Sequence, residues 1–332
     1  MPANDVRAAK AANEAAIFAR ANVVGVAIGN KSIRGRETEE RCIVVFVEAK
    51  RPEAELRRRD VVPKAFGGVR TDIVETGRFH ALETAQAVDV GRTKRIRPAP
   101  GGVSIGHVQI TAGTLGILAR RNGRPVILSN NHVLANQNAG RVGDPILQPG
   151  PVDGGRLQDT IARLADFVPI QFKDKEPGPV ARFLARLFAP LLHAAGWGLK
   201  RLPSGASNLV DAAVAEPIET RLVTPEILGI GRVRGTKEPE IGLQVRKSGR
   251  TTGVTQGRIT AIDAVVEVDY GGPTAIFREQ IVSDLLSNGG DSGSLVVDDA
   301  RHAIGLLFAG GATTTLINPI AAVANALNVV IE

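Results

Sequence analysis

Asn288-Gly289-Gly290-Asp291-Ser292-Gly293-Ser294, running directly into Leu295-Val296-Val297, is the stretch on which the reading of this chain turns. A serine between glycines, beside an aspartate and just ahead of an apolar strand, presents its hydroxyl on a tight turn. Glycine tolerates positive φ, so the backbone can direct its N–H groups toward one point where an oxyanion would form. Such a hydroxyl is a weak nucleophile until a base activates it. The chain must therefore also supply a histidine and an acid in suitable surroundings.

The composition narrows the class. The chain has 332 residues, 4% of them aromatic, with 37 glycines and the single cysteine Cys42. That length suits two domains, or one large β protein with an appendage. Abundant Gly, Val, Ile, Thr and Ala predict short strands joined by frequent turns. One cysteine excludes an internal disulfide, and Cys42 reads as a small core residue at a strand edge. The start, Met1-Pro2-Ala3-Asn4-Asp5, lacks the basic-then-apolar pattern of a signal peptide. No uncharged apolar run of about eighteen residues offers a spanning helix. A cytoplasmic protein without a transmembrane segment is expected.

The net charge of +7 is uneven: residues 1–100 carry 19 Lys+Arg against 13 Asp+Glu, and residues 101–332 carry 22 against 21. Arg57-Arg58-Arg59 and the group Arg92, Lys94, Arg95 and Arg97 dominate the excess. Runs this short read first as solvated helix ends and linker charge. The competing reading is a surface on this N-terminal part that holds an anionic ligand.

Residues 1–97 read as a small α+β domain. An Ala-rich helix covers 5–20, strands cover 23–28, 43–47 and 69–75, and Pro52 opens a short helix to about Arg59. Pro98-Ala99-Pro100-Gly101-Gly102 reads as a linker. Residues 103–332 then show short strands at 103–110, 114–120, 125–129, 211–215, 228–233, 243–247, 257–267, 275–282, 294–298 and 302–308, the texture of a sandwich or barrel. One insertion, about 178–202, breaks it. There Val180, Phe183, Leu184, Leu187, Phe188, Leu191 and Leu192 follow helical spacing. This amphipathic helix could dock on its own barrel, contact another subunit, cover a cleft or lie on a membrane surface.

Among the histidines, His132 stands apart. It ends the apolar run Val126-Ile127-Leu128, where a strand fixes its position while the ring projects into a cleft. His80, His107, His193 and His302 lie in less suitable contexts, so His132 is the candidate general base. The orienting acid is best placed at Asp211, before the small apolar residues Ala212-Ala213-Val214-Ala215 that would bury it. Asp144, Asp159 and Asp166 are alternatives, each in a polar or glycine-containing stretch.

The resulting order is His132, Asp211, Ser292. The blocks Asn131-His132-Val133-Leu134, Val210-Asp211-Ala212-Ala213 and Gly290-Asp291-Ser292-Gly293 resemble the chymotrypsin-like (trypsin-fold) serine peptidases. The likeness is nearest to bacterial disulfide-free members and plant narrow-leaf type proteases. It extends to Asp144–Gly150, Lys247-Ser248-Gly249-Arg250-Thr251-Thr252-Gly253 and Gly305–Gly310, covering roughly residues 102–325. An α/β-hydrolase is disfavoured: its Gly-x-Ser-x-Gly elbow would need glycine at Ser294, and its histidine follows the serine.

The resemblance implies a mainly β fold of two six-stranded antiparallel β-barrels with the site between them. His132 and Asp211 would come from the first barrel and Ser292 from the second. It implies a serine endopeptidase acting on protein or peptide substrates, with the N–H groups of Gly290 and Ser292 as oxyanion hole. Leu286 would lie at the floor of the substrate pocket, with Phe308, Ala309 and Gly310 along its wall. Without an acid there, a small or medium apolar P1 side chain is expected. Plant relatives suggest a homo-oligomer. No phosphate-cradling loop and no zinc-type Cys/His spacing is present, so no metal or cofactor is expected. Two features depart from the pattern. Ser294 replaces a glycine, and Asp291 lacks the new N-terminal amine that pairs with it in secreted relatives. Alternatives are a signal-gated or auto-processing effector protease, and a non-catalytic polyanion-binding scaffold on the same fold.

Overall fold

Side-chain alternation along one strand shows how the sheets are layered. In Arg36–Val47 the first half is charged and faces solvent, and the second half is wholly buried. Cys42, Val44 and Phe46 pack on one face with Phe79, Val266 and Phe277. Ile43, Val45 and Val47 pack on the other with Val6 and Ile17. A period of two divides a single apolar run between two cores. The helix Ala3–Phe18 covers the second core, burying Val6, Lys10 and Ile17 at helical spacing. Cys42 is buried, and burial followed by the nearby Asp72 carboxylate pushes its thiol up to about 12.

The structure, a computed structural model, describes residues 3–81, 90–173 and 207–332. The helix expected over 180–192, its insertion at 178–202 and His193 lie outside these residues. Among the described residues no helix is long and apolar enough to cross a membrane.

The chain is mainly β, and two rings of strands form its body. In the first ring, Ser104–His107 pairs with Pro145–Leu147, which pairs with Thr160–Phe167, then Ala213–Pro217, Arg124–Ser129 and Ile117–Arg121. Gly113–Thr114 returns the chain to Ser104–His107. Leu115 and Gly116 carry the ladder across the gap, donating to the carbonyls of Val103 and Leu128. With 113–121 counted as one interrupted strand, the ring is a six-stranded barrel.

The second ring runs Gln244–Gly249, Leu295–Asp298, Ala303–Gly310, Thr315–Pro319, Thr274–Ser283 and Gly253–Asp269. Pairing of Gln244–Gly249 with Gly253–Asp269 closes it. The N-terminal strands continue this ladder. Val23–Ile33 pairs with Gly253–Asp269, followed outward by Arg36–Val47 and Val69–Glu75.

Several elements differ from the sequence reading. Beyond Pro52 only Glu53–Glu55 is helical, a single 3-10 turn. Ala99–Gly101, inside the stretch read as a linker, is a strand parallel to Val223–Ile227. That strand ends where 228–233 was expected to begin, because Gly229 adopts positive φ and turns the chain. Asp211 precedes its strand, Ala213–Pro217, by two residues. Pro145–Leu147, Thr160–Phe167 and Thr315–Pro319 were not expected, since proline, Arg163, Asp166 and Asn318 interrupt their apolar patterns.

Asp144 turns the chain into Pro145–Leu147. Its Oδ2 accepts from the Arg141 N–H at 2.7 Å and pairs with His107 Nε2 at 3.0 Å. The Arg141 bond first, then His107, holds its carboxyl below the ordinary carboxylate range. A depressed folded-state pKa gives stability that is present above the unfolded value of about 3.9 and is lost as pH falls through the folded value. Asp144→Asn is therefore expected to lower stability to denaturant at neutral pH, with the difference from wild type shrinking below about pH 4. A difference that persists unchanged in acid would mean that the charge is not its source.

Candidate active site

The turn at 288–294 connects Thr274–Ser283 to Leu295–Asp298. Gly290 and Gly293 have φ of 94° and 93°, values that strain any residue with a Cβ. At Gly293 a Cβ would also collide with Ser129 Oγ and the Thr114 carbonyl. Between them Asp291 is fully buried. Its Oδ1 accepts from the N–H groups of Thr251 at 2.9 Å and Thr252 at 3.1 Å. Its Oδ2 accepts from the Thr252 hydroxyl at 2.7 Å, the Asn288 N–H at 3.0 Å and Lys247 Nζ at 3.2 Å.

Lys247 answers the question that Asp291 posed. Its ammonium is fully buried, donating also to the Gly253 carbonyl at 3.0 Å and to the Thr252 hydroxyl. Burial draws its pKa below the ordinary lysine value, and Asp291 opposes that shift. An internal amine thus stands beneath the turn. Ser294 fits where glycine was expected because its hydroxyl donates to the Asp291 carbonyl at 2.6 Å.

Two threonines fix the peptide planes of the turn. The Gly289 carbonyl accepts from Thr251 Oγ1 at 2.6 Å, and the Gly290 carbonyl from Thr114 Oγ1 at 2.8 Å. A trans peptide directs its C=O and the following N–H in opposite senses. The Thr251 bond therefore turns the Gly290 N–H away from the threonine. Within the described residues, the N–H groups of Gly290 and Ser292 have no hydrogen-bond acceptor.

The imidazole and its acid are brought together. His132 lies on the short helix Asn131–Leu134, immediately after the strand Arg124–Ser129. Its Nδ1 is 2.6 Å from Asp211 Oδ2, and its backbone N–H donates to Oδ1 at 3.2 Å. Asp211 is fully buried. Its backbone is fixed from both barrels: Asn130 Nδ2 donates to its carbonyl at 2.7 Å, and its N–H donates to Asn318 Oδ1 at 3.0 Å. His132 Nε2 is buried and has no hydrogen-bond partner among the described residues. Ser292 Oγ in this conformer donates to the Phe308 carbonyl at 3.4 Å. The ring nitrogen opposite Asp211 is thus left unpaired.

The other expected residues fall into place differently. Phe308 and Ala309 are buried, the Phe308 ring lying 4.7 Å from that of Phe277. Leu286 is 63% exposed and is not enclosed as the expected pocket floor would be. The alternative acids are engaged elsewhere: Asp144 with His107, Asp159 with Arg95, and Asp166 with Arg121. His80 and His302 pair with Asp269 and Asp298.

Sequence reasoning passed over Lys247, Tyr270 and Asn318. Lys247 carried a signal: in Gln244–Gly249 it shares strand parity with the buried Val245, between the outward Gln244 and Arg246. A lysine at an inward position requires a buried partner. Tyr270 and Asn318 carried none, because their contacts depend on how the barrels meet.

No protein-family model matches this chain, and no curated protein does. Solved structures that are similar to it include bacterial serine proteases of the chymotrypsin type. Cellulomonas bogoriensis chymotrypsin is 18% identical, with 70% of this chain and 98% of that one covered and a TM-score of 0.42. The Nocardiopsis protease NAPase is 19% identical over 70% of this chain and 100% of that one, at 0.43. A glutamic-acid-specific serine protease that uses a histidine triad in substrate binding is 18% identical over 70% and 100%, at 0.45.

Removing one partner of the Lys247–Asp291 pair strands a buried charge. Lys247→Met is expected to cost about 3–5 kcal/mol in unfolding free energy. Lys247→Met combined with Asp291→Asn should recover much of that loss. A single variant as stable as wild type would show that the pair is not needed to hold the turn.

Proposed function

We propose that the chain is a serine endopeptidase working through Ser292, His132 and Asp211. The observation that carries this reading is the His132–Asp211 contact at 2.6 Å, with the opposite ring nitrogen left unpaired. A carboxylate on Nδ1 fixes the tautomer in which Nε2 is a base, and it stabilises the imidazolium formed when that base takes a proton.

The steps follow from those roles. Ser292 Oγ attacks the carbonyl carbon of a peptide bond while its proton passes to His132 Nε2. The carbonyl π electrons become an oxyanion, for which the N–H groups of Gly290 and Ser292 are the available donors. Collapse breaks the C–N bond, and His132 returns the proton to the departing amine. Water then attacks the Ser292 ester by the same route and frees the acid. No metal or cofactor enters this scheme.

Constitutive competence is part of the proposal. Its support is Lys247, an internal ammonium on Asp291 that needs no cleavage of the chain to supply it. The substrate side is read from Leu286, Phe308, Ala309 and Gly310, none of which is charged. A small or medium apolar P1 side chain follows.

A serine-directed fluorophosphonate is expected to label the purified, untreated protein and to leave Ser292→Ala unlabelled. Folded wild type that stays unlabelled would defeat constitutive competence, and equal labelling of Ser292→Ala would place the nucleophile elsewhere. Among peptides varied at P1, alanine, valine or leucine should be cleaved faster than arginine, lysine or glutamate. A clear preference for a charged residue would remove the pocket assignment.

A further inference from the structure

The chain contains one tyrosine, Tyr270, and its hydroxyl donates to Asp211 Oδ2 at 2.8 Å. That is the carboxylate oxygen that also faces His132 Nδ1. The residue comes from the far end of the second barrel's long hairpin, where Gly253–Asp269 turns into Thr274–Ser283. The turn holds it closely: its N–H donates to the Pro273 carbonyl at 2.9 Å, and Asp269 Oδ1 accepts from Gly271 and Gly272. Its ring meets Phe172 edge-on at 5.4 Å and His132 edge-on at 5.9 Å, and lies at 6.2 Å from Phe277.

We propose that Tyr270 is a positioning residue for the His132–Asp211 pair, which rests on the triad reading above. Two properties of the contact carry this. A carboxylate with no solvent exposure needs donors to remain anionic, and the phenol supplies one that a hydrocarbon ring could not. The same oxygen is shared, so the hydroxyl fixes the direction of the lone pair that meets Nδ1. Burial, then the neighbouring Asp211 charge, raises the phenol's pKa well above its ordinary value. Tyr270 therefore stays protonated, and remains a donor, throughout the range in which imidazole titrates.

Tyr270→Phe keeps the ring packing and deletes only the donor. With a peptide substrate, kcat is expected to fall about 10- to 100-fold, the effect of one hydrogen bond to a charged group, while KM moves by less than about twofold. The acid limb of the kcat/KM profile should move to higher pH. With one donor fewer, more of the carboxylate charge falls on the imidazolium and raises its pKa. Wild-type kcat with an unchanged profile would overturn the proposal, because a merely structural role predicts lower stability and no change in pKa.

The single tyrosine gives a readout that is independent of turnover. Replacing tyrosine biosynthetically with 3-fluorotyrosine places one 19F resonance at position 270. That resonance should titrate with the imidazole pKa in the otherwise wild-type chain and lose the transition in His132→Ala. A resonance that ignores His132 overturns the proposal even if Tyr270→Phe fails to fold or the wild type has no activity. An unreactive wild type that still shows the titration would count against the peptidase reading and leave the Tyr270 contact standing.

Discussion

A carboxylate without solvent exposure, Asp291, sits within the turn at 288–294, and the surrounding structure is arranged to keep it there. Burying the Asp291 charge would be prohibitive without compensation. Three backbone N–H groups, the Thr252 hydroxyl and the Lys247 ammonium provide it. Each donor places a demand on the element that carries it. Gln244–Gly249 must present Lys247 inward, and residues 251–252 must turn their amides toward the carboxylate. The strand must also end in glycine, since a Cβ at Gly249 would collide with Asp291 Oδ1. The register of the second barrel's first strand is thereby tied to one buried charge.

The constraint spreads to the first barrel through polar contacts. Thr114 donates its N–H to the Ser292 carbonyl at 2.8 Å and its hydroxyl to the Gly290 carbonyl. Asp153 accepts from Arg250 Nε at 2.9 Å and from Ser104 at 2.6 Å. Across the other side, Asp211 N–H meets Asn318, Asn318 meets Gln280 at 2.6 Å, and Gln280 meets the Leu209 carbonyl at 2.8 Å. Apolar packing tolerates sliding more readily than a satisfied buried network does. Polar groups at this junction therefore set the relative placement of Ser292 and His132.

The residues that meet at the centre were legible because they carry local signals. Gly290 and Gly293 announce the backbone of the turn, and the apolar run before His132 announces a fixed imidazole. The mainly β character followed from alternation and from glycine-rich turns. Strands whose faces are mixed escaped, such as Thr160–Phe167 with Arg163 and Asp166, and Thr315–Pro319 with its buried Asn318. There, tertiary pairing overrides a weak local pattern. Tyr270 escaped for a stronger reason: it lies 59 positions from Asp211 in the chain, and nothing local to either residue encodes their meeting.

That distance assigns a structural role to the N-terminal segment. A two-stranded hairpin is marginal on its own in water, and the one bearing Tyr270 reaches well past the ring that closes the second barrel. Val23–Ile33 pairs with it from Gly25 to Gly29, opposite Val266 to Ala261. Phe79 and His80 then pair with Val268 and Asp269, the residues just before Tyr270. Phe79 is buried against Phe46 at 5.9 Å, so the same core that holds Arg36–Val47 also holds the end of the hairpin. Among the described residues, those before Ala81 thus bear on the site through this pairing. They hold the hairpin, and the hairpin places the phenol against the carboxylate that meets His132 Nδ1.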